Sequence, residues 1–282
     1  MNAKHVFLVE GYGDSSILRL VIDRFNQPEF FFLIHWDRKS ERPDFSKYQH
    51  VKFIDSISVF WGTDSQVLAE KMLFEAALKE QPSLQWIHLI SESDVPMMSP
   101  DYFIDFFSKM EHSDIEFDGE PDDYADRVRY YMPIKKLSFK SNIIGLTIHR
   151  AVKCANKILR INRLKKVNMP IYKGSNWVSL NRSDLLKVVN FKNIRMFLNS
   201  SLADEVYVQT ILGSECLSSA YDGQSNDDTR YKTRNSRFID WNRGNPYQFM
   251  DDDYIELQQL KNGKYSFVRK IKSVNLAQRL LE

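Results

Sequence analysis

The chain has 282 residues but only two cysteines, Cys154 and Cys216, too few for a disulfide framework. It has no uninterrupted apolar run of ~18 residues, so no stretch is expected to cross a bilayer as a helix. In the opening MNAKHVFLVEGYGD, Glu10 and Asp14 interrupt the apolar run and no small-residue cleavage site follows, which argues against a signal peptide. These absences predict a cytoplasmic protein. Neither GxGxxG nor GxxxxGK followed by Ser or Thr occurs, which excludes an ordinary dinucleotide or NTP phosphate loop. His35 and Asp37 have no companions at zinc-ligand spacing.

Acid is the other thing missing, and only locally. From Arg127 to Ser183 there are 14 Lys and Arg and not one Asp or Glu, leaving 25 of the 39 basic residues against all 37 acids elsewhere. This separation predicts a face that meets anions, whether phosphates, a sugar nucleotide or an acidic membrane surface. A nucleic-acid partner is not expected, because the aromatics do not form an RNA-recognition pattern and the remainder of the chain is acidic. What is present is ample apolar material, 43% hydrophobic and 13% aromatic, enough for a sizeable packed core.

In chain order, HVFLVEG is a buried-strand pattern, SSILRLVIDRF a helix, FFFLIHW a second strand and HVKFIDS a third. A long amphipathic helix follows Trp61-Gly62-Thr63, with Thr63 or Asp64 as its N-cap. LQWIHLIS is a fourth strand and PDYFIDFFSKM a helix, so the first ~110 residues alternate as a nucleotide-binding α/β sheet does. In such sheets ligands bind beyond the carboxyl ends of the strands. The polar clusters expected there are Val9-Glu10-Gly11, His35-Trp36-Asp37, Trp61-Gly62-Thr63 and Ser91-Glu92-Ser93-Asp94. Later, IYKGSNWVSLNR is a β-branched and aromatic run broken at Gly174, and SSLADEVYVQTIL an apolar helix capped by Ser200 or Ser201. By themselves, Asp204 and Glu205 fit the electrostatics of a helix start.

The segments IHWDRKS, VFWGTDSQVLAEKML, LISESDVPMMSPDYF, YKGSNWVSLNR, ADEVYVQTIL, RFIDW and FVRKI, in this order and spacing, resemble the core-2/I-branching glycosyltransferases. That family includes β-1,6-N-acetylglucosaminyltransferases, protein O-xylosyltransferases and bacterial relatives, and the likeness runs from Val6 to about Ser273. It implies a GT-A-like, Rossmann-type α/β fold, a mixed sheet flanked by helices in one catalytic domain. Residues 1–110 would be its nucleotide-binding half and 111–282 its acceptor and catalytic half. It implies inverting transfer of a sugar, GlcNAc in β linkage, from a UDP donor to a glycan hydroxyl. UDP-glucose, UDP-galactose and UDP-xylose stay open as donors, as does a non-catalytic glycan-binding module.

By the same resemblance the catalytic base is Glu205, with Asp204 capping or orienting, since the attacking hydroxyl must lose its proton to a carboxylate. The family resembles the metal-independent exceptions among GT-A enzymes, so no cofactor is expected, and Arg237 and Lys270, with Arg269 beside them, fall at the diphosphate. Glu92-Ser93-Asp94 only mimics a D-x-D signature. Val9, Asp37 and Trp61-Gly62-Thr63 fall at the nucleotide, where Trp61 fits either a flat apolar wall or a core position. Ser175, Asn176 and Trp177 fall beside the sugar, and Gly174 allows either a close approach of backbone to ligand or a simple bend. Arg127, Arg129 and Tyr130 are acceptor candidates. HRAVKCANKILRINRLKKVNM reads as a basic amphipathic helix over about 149–168, either lying on an anionic membrane or packed on the domain with its lysines snorkelling. With neither anchor nor disulfides, the chain looks like a bacterial-type enzyme, peripheral on the inner face of the cell membrane, acting on a lipid-linked surface glycan.

Overall fold

The computed structural model describes residues 3–137, 143–219 and 235–282. Its centre is a five-stranded sheet of β1 (His5–Gly11), β2 (Phe30–Trp36), β3 (Val51–Phe53), β4 (Trp86–Ser91) and β6 (Ser179–Asn181), in the order β3-β2-β1-β4-β6. All neighbours are parallel except β6, which runs antiparallel to β4. A three-stranded sheet joins β5 (Val95–Pro96), β8 (Phe267–Arg269) and β7 (Arg237–Ile239) in the order β5-β8-β7.

Side chains on a strand point alternately to its two faces, and here both alternations are apolar. Val6, Leu8, Leu33, Ile87 and Leu89 enter one core, with α2 (Ser65–Glu80), α6 (Arg182–Val189) and α7 (Asp204–Ser219) supplying much of the rest. Phe7, Val9, Phe32, Ile34 and Ile90 enter the other, with α1 (Ser16–Arg24), α3 (Pro100–Ser108), α8 (Tyr254–Gln258) and α9 (Val274–Leu281). Central strands apolar on both faces need cover on both, which is why a largely parallel sheet lies between two helical layers. Two further helices are the short α4 (Asp126–Arg129) and the 16-residue α5 (Ile143–Ile158).

The strands and helices expected before residue 110 form where expected, with one shift. The third strand stops at Phe53, so Trp61-Gly62-Thr63 is a turn leading into α2, not a strand end. Gly62 sits there at φ +82°, left-handed backbone that glycine accepts without strain. Helix α7 opens at Asp204, too late for Ser200 or Ser201 to cap it. The basic helix is also displaced, starting at Ile143 and ending at Ile158, with Arg160 beyond it at φ +53°. Residues 159–168 are therefore not its continuation. Lys140 of the acid-free segment lies outside the described residues.

Candidate active site

Glycine placement draws the site together. Gly174 donates its N–H to the Glu205 carbonyl at 2.9 Å, and a Cβ at Gly174 would stand 1.7 Å from the Glu116 carbonyl oxygen. The 171–177 segment therefore runs in tight backbone contact with the 114–118 segment and with the first turn of α7. Asp118 donates to the Lys173 carbonyl at 2.9 Å, and Lys173 Nζ returns an ion pair to Asp118 Oδ2 at 2.6 Å. The result is an open cleft whose walls include Glu116, Asp118, Asn176, Trp177, Glu205 and Trp241. Of the two readings of Gly174, close approach is the one observed, and the partner is backbone.

Glu205 lies in this cleft with its side chain one-third exposed. Arg127 Nη1 donates to Glu205 Oε2 at 2.7 Å and to the Leu202 carbonyl at 3.0 Å, so one guanidinium fixes both the carboxylate and the turn before its helix. Arg127 is thus a holder of Glu205. Asp204 points inward, buried, and accepts from Gln66 Nε2 at 2.9 Å. The Gly62 carbonyl accepts from Leu202 N at 2.9 Å, which brings the Trp61-Gly62-Thr63 turn against the start of α7.

Near Glu205 lie two buried acids, Glu70 and Asp204, in electrostatic contact with the half-buried Glu10. Burial pushes the Glu10 carboxyl up to about 8, with the Asp204 charge adding to it. Burial raises Asp204 to about 7, followed by repulsion from Glu205. Glu70 is raised well above the usual carboxylate range by burial and then by Glu10 and Asp204, although Asn176 Nδ2 donates to it at 3.2 Å. Among the described residues, no partner meets Glu10 Oε1, Glu70 Oε2 or Asp204 Oδ1. These groups favour the protonated form because a carboxylate held in low dielectric beside like charge is costly.

The C-terminal cations divide. Arg237, expected at the diphosphate, is buried with its side chain 1% exposed. It spends its donors on the Val178 carbonyl at 2.8 Å, the Leu89 carbonyl at 3.2 Å, Ser179 Oγ and the Asp114 carboxylate at 3.4 Å. Burial lowers it to about 10 against the pull of Asp114. In this structure Arg237 is engaged inside the protein, where it pins β7 to β4 and β6, and not at the cleft. Arg269 is nearly as enclosed, bridging both Asp94 oxygens at 2.7 and 2.9 Å and Ser91 Oγ at 2.9 Å, with its guanidinium 3.6 Å from the Trp177 ring centre. It closes the floor behind Trp177. Lys270 is partly exposed, and its charge opposes the burial that raises Glu92.

Other expected positions scatter. Val9 is a core residue and Thr63 is fully buried, its hydroxyl donating to the Phe60 carbonyl at 2.9 Å, so neither is exposed at the surface. Asp37 follows β2, accepting from Lys39 N at 2.9 Å, and its own N–H meets the Gly11 carbonyl at 2.8 Å at the end of β1. Trp61 is 39% exposed, which removes it from the core. Ser175 and Asn176 line the cleft beside Trp177. Arg129 pairs with Asp126 at 3.2 Å and Tyr130 is buried, so neither lines it. Residues not singled out from the sequence include Gln66, Glu70, Glu116, Asp118, Lys173 and Trp241. Glu70 had a signal: it falls on the buried face of α2 among Val67, Leu73, Phe74 and Ala77, a helical spacing in which an acid is out of place.

The mixed sheet flanked by helices is that of a GT-A-like glycosyltransferase fold, and the chain belongs to the Core-2/I-Branching enzyme family, whose profile matches residues 6–262. Among curated proteins it is similar to a xylosyltransferase, oxt, of Drosophila pseudoobscura pseudoobscura, with 23% identity over 273 residues. That match covers 88% of this chain and 29% of the fly protein, so the chain spans under a third of the length of its relative.

Proposed function

We propose that the protein is an inverting glycosyltransferase that moves a sugar from a UDP-sugar to a hydroxyl of a glycan, with Glu205 as general base. The observation that carries this reading is the placement of Glu205. It is the one acid of the α7 pair that reaches the cleft, and Arg127 holds it at 2.7 Å. In the reaction the acceptor O–H gives its proton to the Glu205 carboxylate while its oxygen attacks the anomeric carbon. The bond from that carbon to the diphosphate oxygen breaks on the opposite face, and UDP leaves with the electron pair. The Trp61-Gly62-Thr63 turn and Asp37 are the nucleotide-side candidates, Lys270 the cation for the leaving diphosphate, and Trp177 and Trp241 the aromatic walls for sugar.

Metal-independent transfer is part of the proposal. Glu92 and Asp94 are the D-x-D mimic, and both Asp94 oxygens are already taken by Arg269 and Ser91. GlcNAc is the proposed donor sugar, and xylose is the second because the fly relative is a xylosyltransferase. The proposed acceptor is a lipid-linked glycan of bacterial capsule, exopolysaccharide or lipopolysaccharide synthesis, met by peripheral contact with the membrane. The test is a thermal-shift screen of UDP-GlcNAc, UDP-glucose, UDP-galactose and UDP-xylose, since a ligand that binds only the folded state raises its melting point by mass action. UDP release is then measured for the best binder, with EDTA present. A protein that no UDP-sugar stabilises would refute the donor assignment, and turnover abolished by EDTA and restored by Mn²⁺ would refute metal independence.

A further inference from the structure

Helix α5 is built inside out. Successive residues turn by about 100°, and the side facing the body carries Gly145 and Asn156, the helix's two buried residues. The attachment is polar. Asn156 Nδ2 donates to the Tyr131 carbonyl at 2.9 Å, Asn156 Oδ1 accepts from Tyr131 N at 2.8 Å, and Lys153 pairs with Asp126 at 3.1 Å. The opposite side faces out and is mainly apolar: Ile143 is 85% exposed, Ile158 75% and Ile144 64%, around an exposed Thr147. Ala151 and Cys154 beside them are exposed as well. A helix of a globular domain normally turns its apolar stripe inward.

Charge narrows what can cover this face. Arg150, Lys157 and Arg160 flank it, all exposed, in the acid-free segment. A second copy meeting it face to face would set these cations against their like, which is repulsive. An apolar stripe edged by Lys and Arg instead matches the boundary between acyl chains and anionic headgroups. We infer that the outward face of α5 docks the protein on an anionic bilayer. The inference deepens the lipid-linked acceptor reading and rests on it for its purpose. The contacts to Tyr131 and Asp126 join α5 to the α4 turn that carries Arg127, so the docked helix stands next to the residue that holds Glu205.

The experiment uses the full chain and vesicles of phosphatidylcholine with phosphatidylglycerol, or of phosphatidylcholine alone, read by co-sedimentation. Wild-type protein is expected to sediment with the anionic vesicles, less so with neutral ones or in high salt. The double variant Ile143→Glu, Ile158→Glu should stay in the supernatant, and Arg150→Gln, Lys157→Gln should bind about thirtyfold more weakly, about fivefold per charge. Both alter exposed positions, and an unchanged wild-type melting point shows that each variant is folded. Wild-type protein that does not sediment, or a Glu variant that sediments like wild type, overturns the inference. So does a wild-type dimer that the Glu variant dissolves without any vesicle binding, since that assigns the face to a second copy. The melting-point shift with UDP is read separately: its absence alongside vesicle binding sinks the donor reading and still supports docking.

Discussion

Gly174 N–H and the Glu205 carbonyl, 2.9 Å apart, tie the cleft's 171–177 wall to the helix that presents the base. The contact exists because position 174 has no side chain: a Cβ there would overlap the Glu116 carbonyl at 1.7 Å. Gly174→Ala must therefore push two backbone segments apart. We expect a loss of about 1–3 kcal/mol in urea unfolding, the usual scale of overpacking, and a larger fractional loss of transfer, because Glu205 moves with the wall. A variant of wild-type stability and activity would show that the segments are not held as described.

Glu205→Gln keeps the shape and the Arg127 contact while removing the proton acceptor. UDP-sugar binding by calorimetry should be unchanged, and transfer should drop roughly 10²–10⁴-fold, the range for a general base. Arg127→Ala leaves the carboxylate but frees its rotamer, so it should lower turnover less than Glu205→Gln does, with Arg127→Lys between wild type and Ala. Full transfer by Glu205→Gln would move the base to another acid.

The two C-terminal cations should separate stability from catalysis. Arg237→Ala strands Asp114 as a buried, unpaired charge, which costs about 3–5 kcal/mol in comparable cases, so the variant should fail to fold or melt far below wild type. Lys270→Ala, at a partly exposed site, should melt near wild type yet lose turnover. Equal melting points for both variants would contradict the buried network around Arg237.

Glu10 and His5 set opposite pH trends. Glu10 titrates near 8 in the fold against 4.5 unfolded, so it favours folding below 4.5 and that contribution is lost as pH rises through 8. Glu10→Gln should accordingly gain on wild type in urea midpoint between pH 5 and pH 8. His5 is the reverse: burial, then Lys4, lowers it to about 4, and its ring lies 3.1 Å from that of His88 among Phe103 and Phe107. The fold keeps it neutral, so stability is full above 6.5 and falls as pH drops toward 4. A midpoint that is flat between pH 6.5 and 4 in wild type and in His5→Phe alike would refute that assignment.

The sequence by itself determined the sheet and the likeness to the family. Doubly apolar strands such as FLV in β1 and FFFLI in β2 can only be buried on both faces, and the order of short motifs placed Glu205 at a helix start. Tertiary structure decided which charges face a ligand. By resemblance, Arg237 and Arg269 fall at the diphosphate of a donor. What encloses them is Asp114 and Asp94, 123 and 175 residues away in sequence; the pairing of β8 with β5 brings Asp94 to Arg269, and the bridge of Asp114 to Ser179 on β6 sets it beside Arg237. The same holds for α5, whose composition allows either a packed or a membrane-facing helix. Its attachment runs through Asn156 on the Tyr131 backbone and Lys153 on Asp126, contacts between distant positions that no periodicity encodes.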